Sequence, residues 1–329
     1  MESSKSSEEE NQESSPFSQT DDQYKDIIAT IPRTKGLGFI TPDLCLYQDF
    51  WYEPKLLEGI MSAQQHFKPQ SNDIIVSSFP KSGTTWLKAL TFSIATRAIF
   101  SKTTTSPLFI KLPHVCVPHL DLSTNRETDV PIMATHIPYD SLPNSIVDSG
   151  NKIVYICRNP KDVFVSTWHF IPKVMQTGFK SFPLEEAFEL FCNGLCVYGP
   201  WWEHNLGYWK ASLELPEKVL FLKYDEMRKE PQLHIKRLAE FMGYPFSMEE
   251  DQNGAVQNII NICSFDHLSN LEVNRNGKCF EGPPAVIPNS AFFRKGSVGD
   301  WKNHLTVEMA ARFDSIMDLK FSGSGLNWT

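Results

Sequence analysis

The sequence has no cysteine pattern typical of a metal site or of a disulfide framework. Its cysteines are odd in number, seven, and are scattered without a CxxC pair or a Cys/His ladder. We therefore expect reduced thiols. It also lacks any apolar run near the ~18 residues that span a bilayer, and its acidic, serine-rich start differs from a secretory signal. Together these features predict a soluble cytoplasmic protein with no membrane partner.

An excess of basic residues is missing as well. Among 329 residues, Lys and Arg number 31 against 39 Asp and Glu, which gives a net charge of −8. Most of that charge, −6, falls in residues 1–22, so the remainder is close to neutral. This balance argues against a nucleic-acid partner, although a local basic pocket for a small anion stays possible.

The acidic charge belongs to a segment with little apolar content. Residues 1–22 contain seven serines and almost no apolar side chains, which predicts a disordered tail. A phosphorylated regulatory arm is the alternative interpretation. From Tyr24 onward apolar residues recur steadily, without an internal repeat or a Gly/Ser linker, so we predict one domain over 23–329.

Short β-branched runs alternate with longer segments of helical period. The strand candidates are residues 73–79, 130–135, 152–158 and 219–224, and the neighbouring helix candidates are 85–100, 162–170 and 184–209. Near-continuous apolar runs suit strands that are buried on both faces. We predict an α/β fold with a central parallel sheet wrapped by helices, and ligands beyond the carboxyl ends of the strands. Residues 270–289 have no period and are rich in Gly and Pro, which predicts a functional loop.

The first strand candidate is followed by PKSGTTW, residues 80–86, which leads directly into a helical pattern. A strand, a glycine turn and a helix start place free backbone N–H groups around one point, which is an anion site resembling a P-loop. Lys81 adds a positive charge, and Ser82, Thr84 and Thr85 add hydroxyl donors. The lysine precedes the glycine, so this is not a Walker A loop. An ordinary helix N-cap remains the alternative.

Two further motifs combine cations with turn residues. RNPKD, residues 158–162, follows the strand candidate 152–158 and puts Arg158 at its carboxyl end, with Ser166 two turns along the next helix. FFRKG, residues 292–296, combines two aromatic residues and two cations with a glycine that admits a ligand. Either motif alone could be a solvated turn or a surface charge pair.

Taken together, PKSGTTWLKAL, RNPKDVFVSTWHF and FFRKGSVGDWKN, in this order and spacing, closely resemble the cytosolic sulfotransferases that use 3′-phosphoadenylyl sulfate (PAPS), in their plant branch. The resemblance runs from about Tyr24 to the C-terminus. It implies a set of donor-binding residues. They are Lys81, Ser82, Gly83, Thr84 and Thr85 for the 5′-phosphosulfate, Trp86 and Tyr224 for the adenine, and Arg158, Ser166, Arg294, Lys295 and Gly296 for the 3′-phosphate.

The resemblance also implies a catalytic base, His136, directly after the strand candidate 130–135. An imidazole that titrates near neutrality can accept the proton of an attacking phenol or alcohol. Lys81 would neutralise charge on the leaving phosphate oxygen, with Ser166 near enough to steer Lys81. Sulfuryl transfer is an in-line displacement of a group with less charge than a phosphoryl group, so we expect no metal requirement.

Two positions depart from the family pattern. Many animal members carry a Lys two residues before the catalytic His, where this sequence has Ala134. The family's proposed dimer motif is matched by Lys302, Thr306 and Val307, but Ala311 stands where Glu is expected. We therefore predict a monomer or a weak homodimer.

The acceptor is expected to be a small apolar molecule with a hydroxyl group. Phe50, Trp51, Tyr52, Tyr139 and the Trp168–Phe170 stretch suit a flat ring, although they could equally be core. Within the plant branch we favour a flavonoid or related phenol over a brassinosteroid, a hydroxyjasmonate or a desulfo-glucosinolate.

Two other function classes compete with this prediction. A non-catalytic nucleotide-binding protein is expected to lose Lys81, His136 or Ser166, and all three are intact. A Mg²⁺-dependent P-loop kinase needs a Walker loop, and the sequence has none.

Overall fold

The computed structural model describes residues 21–100, 106–122, 130–175, 180–279 and 287–328. Most of the predicted tail, 1–20, therefore lies outside the described residues, and helix α1 begins at Asp21, just before the predicted end of the tail. The strands are β1 Arg33–Lys35, β2 Asp43–Tyr47, β3 Phe50–Tyr52, β4 Ile74–Ser78, β5 Ile132–Thr135, β6 Lys152–Cys157, β7 Val219–Lys223, β8 Lys278–Cys279 and β9 Ile287–Pro288.

Helices flank and connect these strands. They are α1 Asp21–Thr30, α2 Pro54–His66, α3 Thr84–Phe100, α4 Pro113–Cys116, α5 Asn144–Val147, α6 Pro160–Val174, α7 Leu184–Cys192, α8 Trp201–Glu214, α9 Tyr224–Lys229, α10 Pro231–Met242, α11 Met248–Gln252, α12 Ala255–Ile262, α13 Phe265–Asn270, α14 Glu272–Asn276 and α15 Val307–Phe321. Within the described ranges, no helix has both the length and the apolar character of a membrane span.

The central sheet has the order β5-β4-β6-β7, and all its pairs are parallel. Ile75 lies opposite Met133 on one side and Ile153 on the other. Every residue of β4 and β5 is buried, as the continuous apolar runs predicted. The predicted α/β fold with a parallel sheet is confirmed, and each strand is one or two residues shorter than its candidate.

Alternate residues of each strand contribute to two separate hydrophobic cores. Ile75, Ile153 and Tyr155 face the core formed with α2, α6, α7, α8 and α15. Val76 and Val154 face the core formed with α3, α10 and α12. The sheet is thus covered on both faces, so the carboxyl ends of its strands form the edge at which chemistry-bearing residues can gather.

One predicted helix, 184–209, is wrong, because the structure divides it into α7 and α8. Gly194 adopts a left-handed φ of 76° just after α7, and Pro200 precedes the first turn of α8. The chain between them pairs with β3, where Trp51 N–H donates to the Gly199 carbonyl at 2.8 Å and Tyr198 N–H donates to the Trp51 carbonyl at 2.6 Å. This connection brings Tyr198 into the interior.

The predicted loop 270–289 is more ordered than its composition suggested. It includes α14 and the short antiparallel pair β8–β9, while residues 280–286 lie outside the described residues. Asn289 explains the order, because its backbone N–H donates to the Gly277 carbonyl and its side-chain amide donates to the Val273 carbonyl. These hydrogen bonds order the segment, although its sequence has neither a helical nor a strand period.

A short irregular segment, 118–120, covers the outer edge of β5. Ala134 N–H donates to the Pro118 carbonyl at 2.8 Å, and Leu120 N–H donates to the Ala134 carbonyl at 2.9 Å. His119 is thereby paired with Ala134 as in a parallel strand. Backbone hydrogen bonds therefore fix the position of His119 beside the end of β5.

The turn between β4 and α3 depends on a glycine. Gly83 has a φ of 112°, and a Cβ placed on it would lie 2.7 Å from the Tyr224 ring. We expect Gly83→Ala to lower the free energy of unfolding by about 2–4 kcal/mol, since it adds a clash to backbone strain. Urea unfolding measures this loss. Gly243→Ala, at a φ of 85° with open space around it, is the control and should cost only about 1 kcal/mol. Equal losses in the two variants would contradict the close approach of Tyr224.

Candidate active site

The loop between β4 and α3 forms one wall of a large cavity. Lys81 has a left-handed φ of 67°, and its Nζ lies 3.6 Å from the centroid of the Phe170 ring. The hydroxyls of Ser78 and Thr84 lie 2.7 Å apart, which ties the end of β4 to the start of α3. The first turn of α3 therefore directs its free N–H groups toward the same space as the Lys81 ammonium.

The cavity has a volume of about 910 Å³ and collects nearly all of the predicted site residues. Those at its wall are Lys81, Gly83, Thr84, Thr85, Trp86, His136, Arg158, Ser166, Tyr224, Arg294, Lys295 and Gly296. Ser82 is the exception. It is 1% exposed, does not line the cavity, and its backbone N–H donates to the Phe79 carbonyl. A contact from the Ser82 side chain to a ligand is therefore not formed in this conformation.

Several cations converge on one end of this cavity. Burial, together with the positive charges of Lys173, Arg158 and Arg294, lowers the pKa of Lys81 to about 7. Like charges held this close favour a polyanionic ligand, because binding would relieve their mutual repulsion. The geometry therefore defines an anion site that spans the β4–α3 loop and the strand end at Arg158.

Two buried carboxylates hold the basic motifs in place. Asp162 accepts from Gly299 N–H at 2.8 Å and from Trp301 N–H at 3.0 Å, and it lies 3.5 Å from the Arg158 guanidinium. Asp300 accepts from Arg294 at 2.5 Å and from Lys295 at 2.7 Å. Burial would raise the pKa of Asp300, but Lys295, Asn303 and Arg294 hold it well below its usual range.

An aromatic group lies next to the cations. Trp86 and Tyr224 meet edge to face with ring centroids 5.3 Å apart, and the Arg158 guanidinium lies 4.5 Å from the Tyr224 centroid. Tyr224 also donates its hydroxyl to the Gly296 carbonyl at 3.0 Å. A Cβ on Gly296 would lie 2.5 Å from Phe265, so only glycine fits against that ring. The result is a flat apolar slot beside the anion site.

His136 projects into the cavity from the end of β5 with a defined tautomer. Its Nδ1 lies 2.7 Å from the Ser78 carbonyl oxygen, which can only accept, so Nδ1 carries the proton and Nε2 keeps a lone pair. Burial, followed by the neighbouring His119, lowers the pKa of His136 well below its usual range. His136 is therefore neutral and able to accept a proton.

Sequence analysis missed a group of polar residues around His136, namely Lys88, His114, His119 and Asp121. Three of them occur as H-x₄-H-x-D, residues 114–121, but this stretch has no period and does not follow a predicted strand. The structure forms it from α4 and the edge segment, and His114, His119 and Asp121 line the cavity. The spacing of these three residues is the only sequence feature that marks them, and by itself this spacing does not indicate a particular kind of site.

Lys88 is a fully buried lysine that is connected to the cavity wall through His114 and Thr85. Its Nζ lies 3.2 Å from His114 Nδ1, and His114 Nε2 lies 2.9 Å from Thr85 Oγ1. When Lys88 donates to Nδ1, the remaining ring proton of His114 goes to Thr85 Oγ1. The hydroxyl hydrogen of Thr85 is then left to point toward an anion in the cavity.

Glu53 lies at the opposite end of the cavity and is 2% exposed. Its Oε1 accepts from Ile40 N–H at 2.6 Å and from Thr41 N–H at 2.9 Å, which shapes the loop that follows β1. Burial raises the pKa of Glu53 to about 7, against the lowering effect of these N–H groups. This carboxyl supports the apolar end of the cavity.

Among the described residues, no group of three or more His, Cys, Asp or Glu side chains could hold a metal ion. The seven cysteines are all buried and unpaired. The cavity wall presents cations, imidazoles and the carboxyl groups of Glu53 and Asp121.

Comparison with known sequences identifies a sulfotransferase domain over residues 71–325. A flavonol sulfotransferase-like protein of Flaveria bidentis is 51% identical over 286 residues, which covers 85% of this chain and 91% of that protein. Cytosolic sulfotransferase 16 of Arabidopsis thaliana is 47% identical over 320 residues, 94% of both chains.

Solved structures give the same result. A crystal structure of an Arabidopsis thaliana protein, provisionally described as a steroid sulphotransferase, matches with a TM-score of 0.72 at 36% identity and covers 92% of this chain and 94% of that one. A mouse sulfotransferase complexed with PAP matches with a TM-score of 0.64 at 27% identity, over 86% of this chain and 96% of that one.

The buried Glu53 gives a prediction for pH dependence. Its pKa is higher in the folded chain than in the unfolded chain, so its stabilising contribution is present below about pH 4.5 and is lost as the pH rises through 7. The stability difference between Glu53→Gln and the unmodified protein should therefore change with pH. We expect the free energy of unfolding of Glu53→Gln, relative to that of the unmodified protein, to be higher at pH 8 than at pH 5 by on the order of 1–3 kcal/mol. Urea unfolding at both pH values measures the difference. Glu240→Gln on the exposed face of α10 is the control. A pH-independent difference for Glu53→Gln would contradict the assignment.

Proposed function

The chain belongs to the plant cytosolic sulfotransferase family, whose members use PAPS as donor, and from that premise we propose that its acceptor is a flavonol or a related phenol. The observation that carries the proposal is one continuous cavity in which the cationic loop of Lys81 and the neutral His136 meet an aromatic wall. The 51% identity to a flavonol sulfotransferase-like protein supports the same acceptor class. The predicted family, reaction and donor are confirmed by these comparisons.

At the donor end, we propose that the β4–α3 loop binds the 5′-phosphosulfate. Lys81, Gly83, Thr84 and Thr85 offer an ammonium, backbone N–H groups and hydroxyls at the start of α3. Trp86 and Tyr224 form the slot for the adenine, whose flat aromatic face suits these rings. Ser82 supports this loop from behind, since its side chain is buried away from the cavity and its backbone N–H donates to the Phe79 carbonyl.

The 3′-phosphate is assigned to the second group of cations. Arg158, Ser166, Arg294, Lys295 and Gly296 line this end of the cavity. Asp162 and Asp300 orient these cations while leaving donors for a ligand, because a guanidinium has five N–H groups and an ammonium has three. The loop that bears Gly296 therefore holds its position before any anion arrives.

At the reacting centre, His136 Nε2 accepts the proton of the acceptor hydroxyl as that oxygen attacks sulfur. The bond between sulfur and the bridging phosphate oxygen breaks in line, and negative charge grows on the leaving oxygen. Lys81, held near Phe170, neutralises that charge. Asp121 lies close enough to His136 to favour the imidazolium that forms, since its charge opposes the lowering of the pKa of His136.

Apolar side chains form much of the wall at the acceptor end. Phe39, Phe170 and Phe292 line it together with Ile40 and Leu122, and the rings of Phe39 and Phe170 meet edge to face at 5.3 Å. Such walls suit a planar aromatic molecule. Of the predicted pocket aromatics, Phe170 lines the cavity, whereas Phe50 and Tyr52 belong to the core. The brassinosteroid, hydroxyjasmonate and desulfo-glucosinolate alternatives are not favoured.

The cytoplasmic prediction agrees with relatives that are named cytosolic sulfotransferases. The oligomeric state stays a prediction of a monomer or weak homodimer. Val307 is 81% exposed at the start of α15, while Ala311 supplies no carboxylate to that surface.

The proposed reaction is tested by transfer of ³⁵S from labelled PAPS to a panel of flavonols, with a brassinosteroid, a hydroxyjasmonate and a desulfo-glucosinolate for comparison and EDTA present. We expect labelled flavonol sulfate that EDTA does not diminish. Label on another class alone would overturn the flavonol assignment. Tight donor binding with no product from any acceptor would favour the non-catalytic alternative.

Arg158 provides a test of the 3′-phosphate assignment. Arg158→Ala should weaken binding of adenosine 3′,5′-bisphosphate (PAP) by about 10- to 150-fold, because charge-assisted bonds worth roughly 1.5–3 kcal/mol are lost. Isothermal titration calorimetry measures the change. Arg312→Ala, which removes an exposed cation paired with Glu189, is the matched control. An unchanged affinity in Arg158→Ala would refute the assignment.

His136 provides a separate test of the base. His136→Asn keeps a side-chain donor for the Ser78 carbonyl but removes the lone pair that accepts a proton. We expect turnover to fall by about 10²- to 10⁴-fold, while PAP affinity stays within a factor of about three. Steady-state rates and calorimetry give the two values. A rate close to that of the unmodified protein would remove His136 from the mechanism.

A further inference from the structure

A second imidazole lies directly beside the proposed base. The ring centroids of His119 and His136 are 4.6 Å apart, with a tilt of 37°. His119 is 5% exposed and lines the same cavity. Its backbone is paired with Ala134, two residues before His136, so the sheet holds both rings at the same strand end.

Asp121 is the charged partner of this second imidazole. Its Oδ1 lies 3.4 Å from His119 Nδ1, and its Oδ2 accepts from the Tyr198 hydroxyl at 2.6 Å. Burial would raise the pKa of Asp121, but His119, His136 and Tyr198 hold it well below its usual range. A carboxylate at this distance favours the proton on Nδ1 of His119, and Nε2 of the same ring is left with a lone pair.

The fold satisfies this pair only in part, through the hydrogen bond from Tyr198 to Asp121 Oδ2. His119 Nδ1 and Asp121 Oδ1 are buried, and neither has a hydrogen-bond partner within the described part of the chain. A buried carboxylate and imidazole that leave polar atoms unpaired are costly, so the arrangement needs a compensating role. A ligand hydroxyl that donates to His119 Nε2 would give the pair such a role, because the Asp121 carboxylate beside Nδ1 makes Nε2 a stronger acceptor.

We propose that His119, positioned by Asp121, accepts a hydrogen bond from a second hydroxyl of the acceptor, adjacent to the hydroxyl that His136 deprotonates. The site thereby selects phenols with two hydroxyls on neighbouring ring carbons. Oxygens on neighbouring carbons lie about one hydrogen-bond length apart (~2.8 Å), which suits two imidazoles in near contact. This inference rests on the proposed function, because it assigns the acceptor to the cavity end beside His136.

A matched pair of flavonols tests the inference. Quercetin carries adjacent hydroxyls on its B ring, and kaempferol carries one of the two. We expect the PAP-bound protein to bind quercetin at least about tenfold more tightly than kaempferol, since one more hydrogen bond to a buried acceptor forms. Quenching of tryptophan fluorescence measures both dissociation constants.

Variants at position 119 assign the preference to its imidazole. His119→Phe keeps a ring against His136 but cannot accept a hydrogen bond, so the affinity ratio should fall to about one. His119→Gln keeps an acceptor oxygen and should restore part of the ratio. Affinity for PAP, within about threefold of the unmodified protein, shows that each variant is folded.

Three results would overturn the inference: equal affinity of the unmodified protein for both flavonols, a preference that survives in His119→Phe, or no binding of either flavonol. Transfer of ³⁵S distinguishes this failure from failure of the proposed function. Labelling of both flavonols with equal kcat/KM would keep the function and reject the role of His119. No labelling of any flavonol would reject the flavonol assignment itself.

Discussion

Asp162 holds the cationic end of the cavity together. From the first turn of α6 it accepts from Gly299 and Trp301 N–H groups and lies beside Arg158. A strand end, a helix start and a distant loop are thereby fixed to one buried carboxylate. The cations that converge near Lys81 repel each other, and Asp162 and Asp300 oppose that repulsion through their contacts with Arg158 and Arg294. The anion site is preorganised in this sense, and its order does not depend on the ligand.

The acceptor end relies on neutral polar groups instead. Burial lowers the pKa of His136, His119 and Lys88, which favours the neutral forms of these three groups beside the Asp121 carboxylate. An apolar phenol can therefore enter without displacing strongly hydrated ions. This difference between the two ends matches the proposed substrates, a polyanionic donor and a neutral phenol.

Local sequence was sufficient for the elements that carry strong signals. Buried strands such as β4 and β6 are continuous apolar runs, and the turn at Gly83 between strand and helix has recognisable chemistry, so the parallel sheet and the strand–turn–helix at one wall of the cavity could be predicted. The division of 184–209 into α7 and α8 could not, because the pairing of Tyr198 and Gly199 with Trp51 in β3 is a long-range contact. His119 and Asp121 were missed for a related reason: their role depends on pairing with Ala134, far along the chain, and on the hydroxyl of Tyr198.

The pairing of segment 118–120 with Ala134 also closes the free side of the central sheet. β5 is an outermost strand, and an uncovered strand of that kind offers its N–H and C=O groups to other chains. This segment therefore holds His119 at the cavity wall and also covers part of an exposed strand edge. Substitutions in this segment that alter acceptor selectivity also alter the cover of the strand edge. Solubility therefore limits which of these substitutions the protein tolerates.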